Sequence, residues 1–273
     1  MKETETELRD EALRALQLAE PSAKCAAVAQ LEAGVRAGAI DVDPAPRLAE
    51  PDGLPGRPLQ PQLVPPTAVP RRSAKSSEGR AALLHALAHI EFNAINLALD
   101  AIWRFAGMPV AYYVDWLAVA RDEAEHFQLL EHRLAAHGAR YGDRTAHDGL
   151  WEMARKTGGD VLDRMALVPR VLEARGLDAS PALIVKLRES GDEDSARVVE
   201  RILHDEVAHV AAGNRWFEWL CITRGLDMVA EFRRLVHRHE APRLRPPLNL
   251  DARRRAGFSS VELSAMSQSS EWP

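Results

Sequence analysis

The chain has 273 residues, 46% hydrophobic and 27% charged, with a formal net charge of -5 and only two cysteines. That length supports one helical domain of roughly 150 to 200 residues plus an appendage. Cys25 and Cys221 are far apart in unlike contexts, which argues against a disulfide framework or a thiolate metal site. No uncharged apolar run reaches the roughly 18 to 20 residues of a bilayer span.

The acidic start, with Glu3, Glu5, Glu7, Asp10 and Glu11, does not suit a secretory signal or transit peptide, so a cytoplasmic chain is expected. Residues 3–19, with Leu13, Leu16 and Leu18 at near-helical spacing, and 21–37, opening at Pro21, predict two amphipathic helices in an accessory segment, 1–40. Residues 41–76 form a connector. Nine of the seventeen prolines fall within 41–75, which rules out regular helix there, and Leu48, Leu54, Leu59 and Leu63 leave open whether it is free or draped on the domain.

The main domain, 77–225, is expected to begin near Ser77. Positions 84, 87, 91, 94, 98, 102 and 105 follow 3–4 spacing and place Glu91 on an inward face. Gly107 and Pro109 end that helix. A second, 109–136, has its seam at Trp116, Ala120, Glu123, Phe127, Leu130 and Leu134 and stops at Gly138. A polar crossing leads to a third helix, 149–175, kinked by Pro169 and closed by Gly176. A short helix opens at Pro181. Asp192 then caps a fourth long helix, reaching about Cys221, with Val199, Leu203, Glu206, Val210, Gly213, Phe217 and Leu220 inward. A last helix, 226–240, opens the tail segment 226–273. No strand pattern or glycine-rich phosphate loop competes.

Two Glu-x-x-His tetrads, Glu123 to His126 and Glu206 to His209, lie in these seams. Glu91 precedes Glu123 by 32 residues and Glu173 precedes Glu206 by 33, so a duplicated helical hairpin is the economical reading. Positions i and i+3 share a helix face, so each tetrad can bind one metal or bridge two. Four inward glutamates would bring four negative charges into a low dielectric, and two divalent cations with two neutral imidazoles would cancel them. Hard oxygen and borderline nitrogen donors suit iron(II) or manganese(II) better than zinc. Asp122 and Asp205 precede the tetrad glutamates and are read either as partners of the imidazole N–H groups or as helix-surface acids. Glu173 is the ligand with rivals, since Glu152, Asp160 and Asp163 stand on the same expected helix. His85, His89, His132 and His204 are read as outer or surface residues, and Glu125 as solvent-facing.

These residues resemble the ferritin-like di-iron carboxylate superfamily over about residues 80–225. The resemblance implies an antiparallel four-helix bundle with a long crossover between its second and third helices, flanked here by N-terminal helices and a C-terminal helix. The stretches His89-Ile90-Glu91, Ala101 to Phe105, Glu173 to Asp178 and His204-Asp205-Glu206 are similar to a bacterial branch described only as a domain of unknown function, matching to about Phe258. The Glu173-Ala174-Arg175 segment is also similar to one in the tRNA-modifying di-iron monooxygenase. The resemblance implies Glu123 and Glu206 as bridging ligands, Glu91 and Glu173 as terminal ones, and one metal each for His126 and His209.

The expected function is activation of dioxygen or peroxide at two iron ions, with manganese or a mixed Mn/Fe pair as alternatives. The protein would serve as an oxidase or monooxygenase on a small molecule or modified nucleoside and draw on an electron donor. Ferritin-type storage, manganese-dependent peroxide disproportionation and a non-catalytic bundle are the competing readings. Tyr112, Tyr113 and Tyr141 are well over two turns from any expected ligand in their helices or loops, which disfavours a radical-generating role. Trp116 and Trp216, each seven residues from a tetrad, are read as packing groups or as a lining of the core. Residues 224–255 carry nine arginines against four acids, a charge bias that suits a solvated face or subunit contact more often than RNA. Self-association therefore stays open.

Overall fold

The computed structural model describes residues 7–70 and 73–268. Residues 3–6 of the expected first helix and the last five residues of the tail lie outside the described residues. The described chain is helical, and its only sheet-like pairings are two isolated bridges, Glu7 with Asp41 and Leu63 with Ala146. It divides into two compact units, Met1–Trp151 and Glu152–Pro273.

The first unit contains α1 (Leu8–Gln17), α2 (Pro21–Arg36), α3 (Ser77–Arg104) and α4 (Val110–Ala136). α3 starts where the Ser76 side chain accepts from the Gly79 amide at 3.0 Å. Between α3 and α4 the chain reverses through Gly107, whose φ of +79° is a left-handed conformation costly for other residues. α3 and α4 pack as a hairpin, with α1 against α3 and α2 against α4. The predicted α4 seam is buried along its length. α3 is long and apolar enough to cross a bilayer by length and composition, but 72% of that stretch is buried as a core helix.

The Pro-rich connector is packed against the first unit over residues 41–70, and buried basic side chains in α1 and α2 hold it in place. Arg9 is fully buried and donates to the carbonyls of Ile102 (3.3 Å) and Trp103 (2.8 Å) in the last turn of α3, and to Pro46 O at 2.5 Å. One guanidinium thus satisfies α3 carbonyls left without an intrahelical donor and fixes the connector beside them. Lys24 donates to Leu16 O, Gly56 O and Asn96 Oδ1. Further along, Val64 N donates to Ala146 O at 2.8 Å.

The division between the units falls inside α5 (Gly149–Lys156). The second unit then runs through α6 (Val161–Leu167), a π-helical turn (Val168–Glu173), α7 (Ala174–Glu189), α8 (Glu193–Arg224), α9 (Met228–Arg238), α10 (Leu250–Arg255) and α11 (Ser260–Gln268). The expected single helix 149–175 is therefore interrupted once, and its second part runs on through the π-helical turn into α7. Gly158 and Gly159 interrupt it, and Asp160 recaps α6 by accepting from Leu162 N at 2.9 Å.

Gly176 does not close a helix, and no new one opens at Pro181, because α7 runs through both. Pro181 lacks the N–H that would bond the Leu177 carbonyl, and Asn249 Nδ2 takes that carbonyl at 3.2 Å instead. The Ser180 hydroxyl likewise donates to Gly176 O at 2.8 Å. Asp192 caps α8 as expected, accepting from Ser195 N at 3.1 Å. α8 runs three residues beyond Cys221, to Arg224, before Gly225 ends it at φ +64°. α7 and α8 form the hairpin of this unit.

Candidate metal centre

Hairpin register brings Glu91 and Glu123 to one height, because each stands 16 residues from Gly107. His126, one turn beyond Glu123 on the same face, completes the group. Its Nδ1 lies 3.3 Å from Glu91 Oε2 and 3.4 Å from Glu123 Oε2. Glu91 is 3% exposed, and Glu123 and His126 are fully buried. Each offers one donor atom, all within 4.8 Å of one another.

The electrostatics of this group are those of a site holding protons where a cation fits. Burial, reinforced by the neighbouring Glu123 carboxylate, pushes the Glu91 carboxyl up to about 8. Burial alone would lower the His126 imidazole, but Glu123 and Glu91 outweigh it and raise it to about 11. Glu91 Oε2 is buried without a hydrogen-bond partner. An orphaned buried carboxylate oxygen beside a second carboxylate and an imidazole nitrogen is a donor set that a divalent cation satisfies.

In the second unit, Glu173 and His209 each stand 18 residues from Gly191, the left-handed residue between α7 and α8. Pro169 and Gly213, each 22 residues from Gly191, show that the register holds: a Cβ on Gly213 would sit 2.2 Å from Pro169 Cβ. Glu206 is one turn before His209, with Oε2 3.8 Å from His209 Nδ1. Both are buried, at 8% and 1% exposure. Glu173 is half-buried and ends the π-helical turn. Its rivals are engaged or exposed. Asp160 caps α6 and pairs with Arg224, Asp163 bonds His239 Nε2 at 2.8 Å, and Glu152 is exposed.

Asp122 accepts from Arg121 Nη2, and Asp205 is bonded by Arg201 and by His204 Nδ1, the latter at 2.9 Å. Both carboxylates therefore have guanidinium partners. Glu125, His132 and His204 are exposed, as the sequence predicts.

Tyr141 belongs to a buried aromatic and histidine cluster of the first unit. The crossing loop folds it back so that its ring packs 5.6 Å from Phe92 and 5.1 Å from Phe127, the residues following Glu91 and His126. His85 and His89 belong to the same cluster and are buried. His89 Nε2 lies 3.1 Å from the His147 carbonyl, which requires the proton on that nitrogen, so Nδ1 accepts from the Tyr141 hydroxyl at 2.9 Å. Burial drives the His89 imidazole down to about 4, keeping it neutral. In the sequence, only the i, i+4 spacing of His85 and His89 hinted at this cluster.

The comparisons with known proteins extend over nearly the whole chain. Residues 17–264 match a family described as "Protein of unknown function (DUF455)". The match begins at the last residue of α1, so α2 and the connector belong to the family domain, beyond the 80–225 stretch that carries the Glu-x-x-His motifs. An "Uncharacterized protein" of Haemophilus influenzae is 45% identical over 258 residues, spanning 91% of this chain and 90% of the relative. No solved structure matches. The chain belongs to the DUF455 family.

Proposed function

We propose that this protein holds two metal ions, iron first and manganese second, and uses them to activate dioxygen or peroxide. In this reading the α3–α4 and α7–α8 hairpins are the halves of a ferritin-like four-helix bundle, each supplying Glu from one helix and Glu-x-x-His from the other. The observation that carries it is the buried group of Glu91, Glu123 and His126, whose ligand atoms all lie within 4.8 Å of one another. The duplicated spacing supports a matching contribution from Glu173, Glu206 and His209.

Glu123 and Glu206 would bridge, Glu91 and Glu173 would each hold one ion, and His126 and His209 would each donate Nδ1. Asp122 and Asp205 are assigned to orient the imidazoles through the opposite ring nitrogen. Bound metal supplies redox chemistry on an oxidant, and the chain supplies coordination geometry and a water-poor surround. Loss of the Glu91 and His126 protons is coupled to metal entry, so affinity rises with pH.

The substrate class proposed is a small molecule or modified nucleoside, with electrons from a separate donor. Metal analysis of protein purified without chelator should find two equivalents of iron or manganese, and Glu206→Ala should lose at least one. Anaerobically iron-loaded protein should consume oxygen when it is admitted. Retention of two equivalents by the variant, or indifference to both oxygen and peroxide, would overturn the reading. Oxygen release from peroxide after manganese loading would redirect it to disproportionation.

A further inference from the structure

The π-helical turn that ends on Glu173 is gripped from both sides by the C-terminal segment through charged side chains that are almost wholly buried. Such turns are rare and cluster at functional sites, because they re-aim a side chain at the cost of regular hydrogen bonding. Arg170, in the middle of the turn, is 2% exposed. Its guanidinium stands 4.5 Å from the rings of both Phe217 and Phe232, and it donates to Glu262 Oε1 on α11. Glu262, itself fully buried, is held by the Ser259 amide (2.9 Å) and hydroxyl (2.8 Å).

On the far side of Glu173, the fully buried Arg253 of α10 donates to both carboxylate oxygens of Asp178, at 3.0 and 2.6 Å, and to the Ala174 carbonyl at 3.4 Å. Glu173 thus sits between two anchors, three residues after Arg170 and one before Ala174. Buried ion pairs are a weak source of stability, since apolar residues of similar volume often serve as well or better. They do have fixed geometry: a two-pronged guanidinium–carboxylate contact specifies direction and distance, which an apolar contact does not.

We propose that Glu262, acting through Arg170, and Arg253, acting through Asp178 and the Ala174 carbonyl, are positioning residues that hold the π-helical turn and set the direction in which Glu173 is presented to a metal ion. This rests on the metal-binding reading above. The C-terminal segment is then part of the metal centre's support.

The test uses the full chain and the combined Arg170→Met and Glu262→Leu substitutions, which remove both charges and leave neither buried alone. Co(II) binding is followed by calorimetry and by its visible spectrum, with circular dichroism reporting the fold. The wild type should bind two equivalents. The double variant should keep its helical signal and one equivalent at wild-type affinity, with the other weakened tenfold or more and spectrally altered. Glu173→Ala should weaken the same equivalent. If the double variant does not fold, Asp178→Asn, which keeps an acceptor and drops the charge, should weaken that equivalent at least threefold. Two equivalents at unchanged affinity and spectrum in whichever variant folds, with Glu173→Ala impaired, would overturn the clamp and leave the metal reading standing. A wild type that binds no cobalt, iron or manganese would overturn the metal reading itself, and the clamp with it.

Discussion

Glu91 is the residue at which metal affinity and fold stability pull apart most clearly. Its carboxyl is buried against a second carboxylate, and burial raises it to about 8, so the metal-free protein holds a proton there at neutral pH. Glu91→Gln mimics that protonated form and removes the ability to ionise. The metal-free variant should melt at the wild-type temperature or up to a few degrees above it, because no buried charge has lost a partner. Its affinity for Mn(II) should fall tenfold or more, since an amide oxygen is a weaker ligand than a carboxylate. A variant that binds Mn(II) as tightly as the wild type would remove Glu91 from the ligand set. The position was legible as an inward seam residue, but its tie to Glu123 needed the register around Gly107.

The second hairpin depends on close packing at its π-helical turn. Gly213→Ala would place a methyl 2.2 Å from Pro169 Cβ, and a prolyl ring cannot rotate aside. A cost of about 1–3 kcal/mol is expected, typical of overpacking, measurable by denaturant unfolding. The metal equivalent that depends on Glu173 should weaken in parallel. Glu262 links α11 to the same turn, and Arg170 with the Ser259 donors outweighs burial and holds its carboxyl below the usual range. A depressed carboxylate contributes stability that is present above its unfolded value, near 4.5, and is lost as pH falls through the lower folded value. Glu262→Gln should therefore be less stable at pH 7, by about 3–5 kcal/mol as for a broken buried pair. Its deficit should shrink below about pH 4. An equal deficit at pH 7 and pH 3 would show that the pair's charge is not what stabilises the turn.

For the protein as a unit, metal should act as a ligand of the native state alone, because no single stretch of chain carries the full donor set. Free Mn(II) at a hundredfold excess over its dissociation constant should stabilise by about 2.7 kcal/mol per site, and EDTA should reverse the gain. An unchanged melting temperature on loading would argue against tight binding to the folded state.

The helices, their seams and the two tetrads were readable in order along the chain, because 3–4 periodicity is a local signal and the tetrads interrupt it with acids at core positions. The Asp192 cap was equally local. Other features depended on partners far away in sequence. α7 passes through Pro181 because Asn249 accepts responsibility for the freed Leu177 carbonyl, the connector is held in place because Arg9 and Lys24 are buried beneath it, and Tyr141 reaches Phe92 and Phe127 because a loop folds back. Periodicity reports which face of a helix turns inward. It does not report which distant donor will meet an orphaned carbonyl or a buried charge, and those meetings are made only when the chain folds.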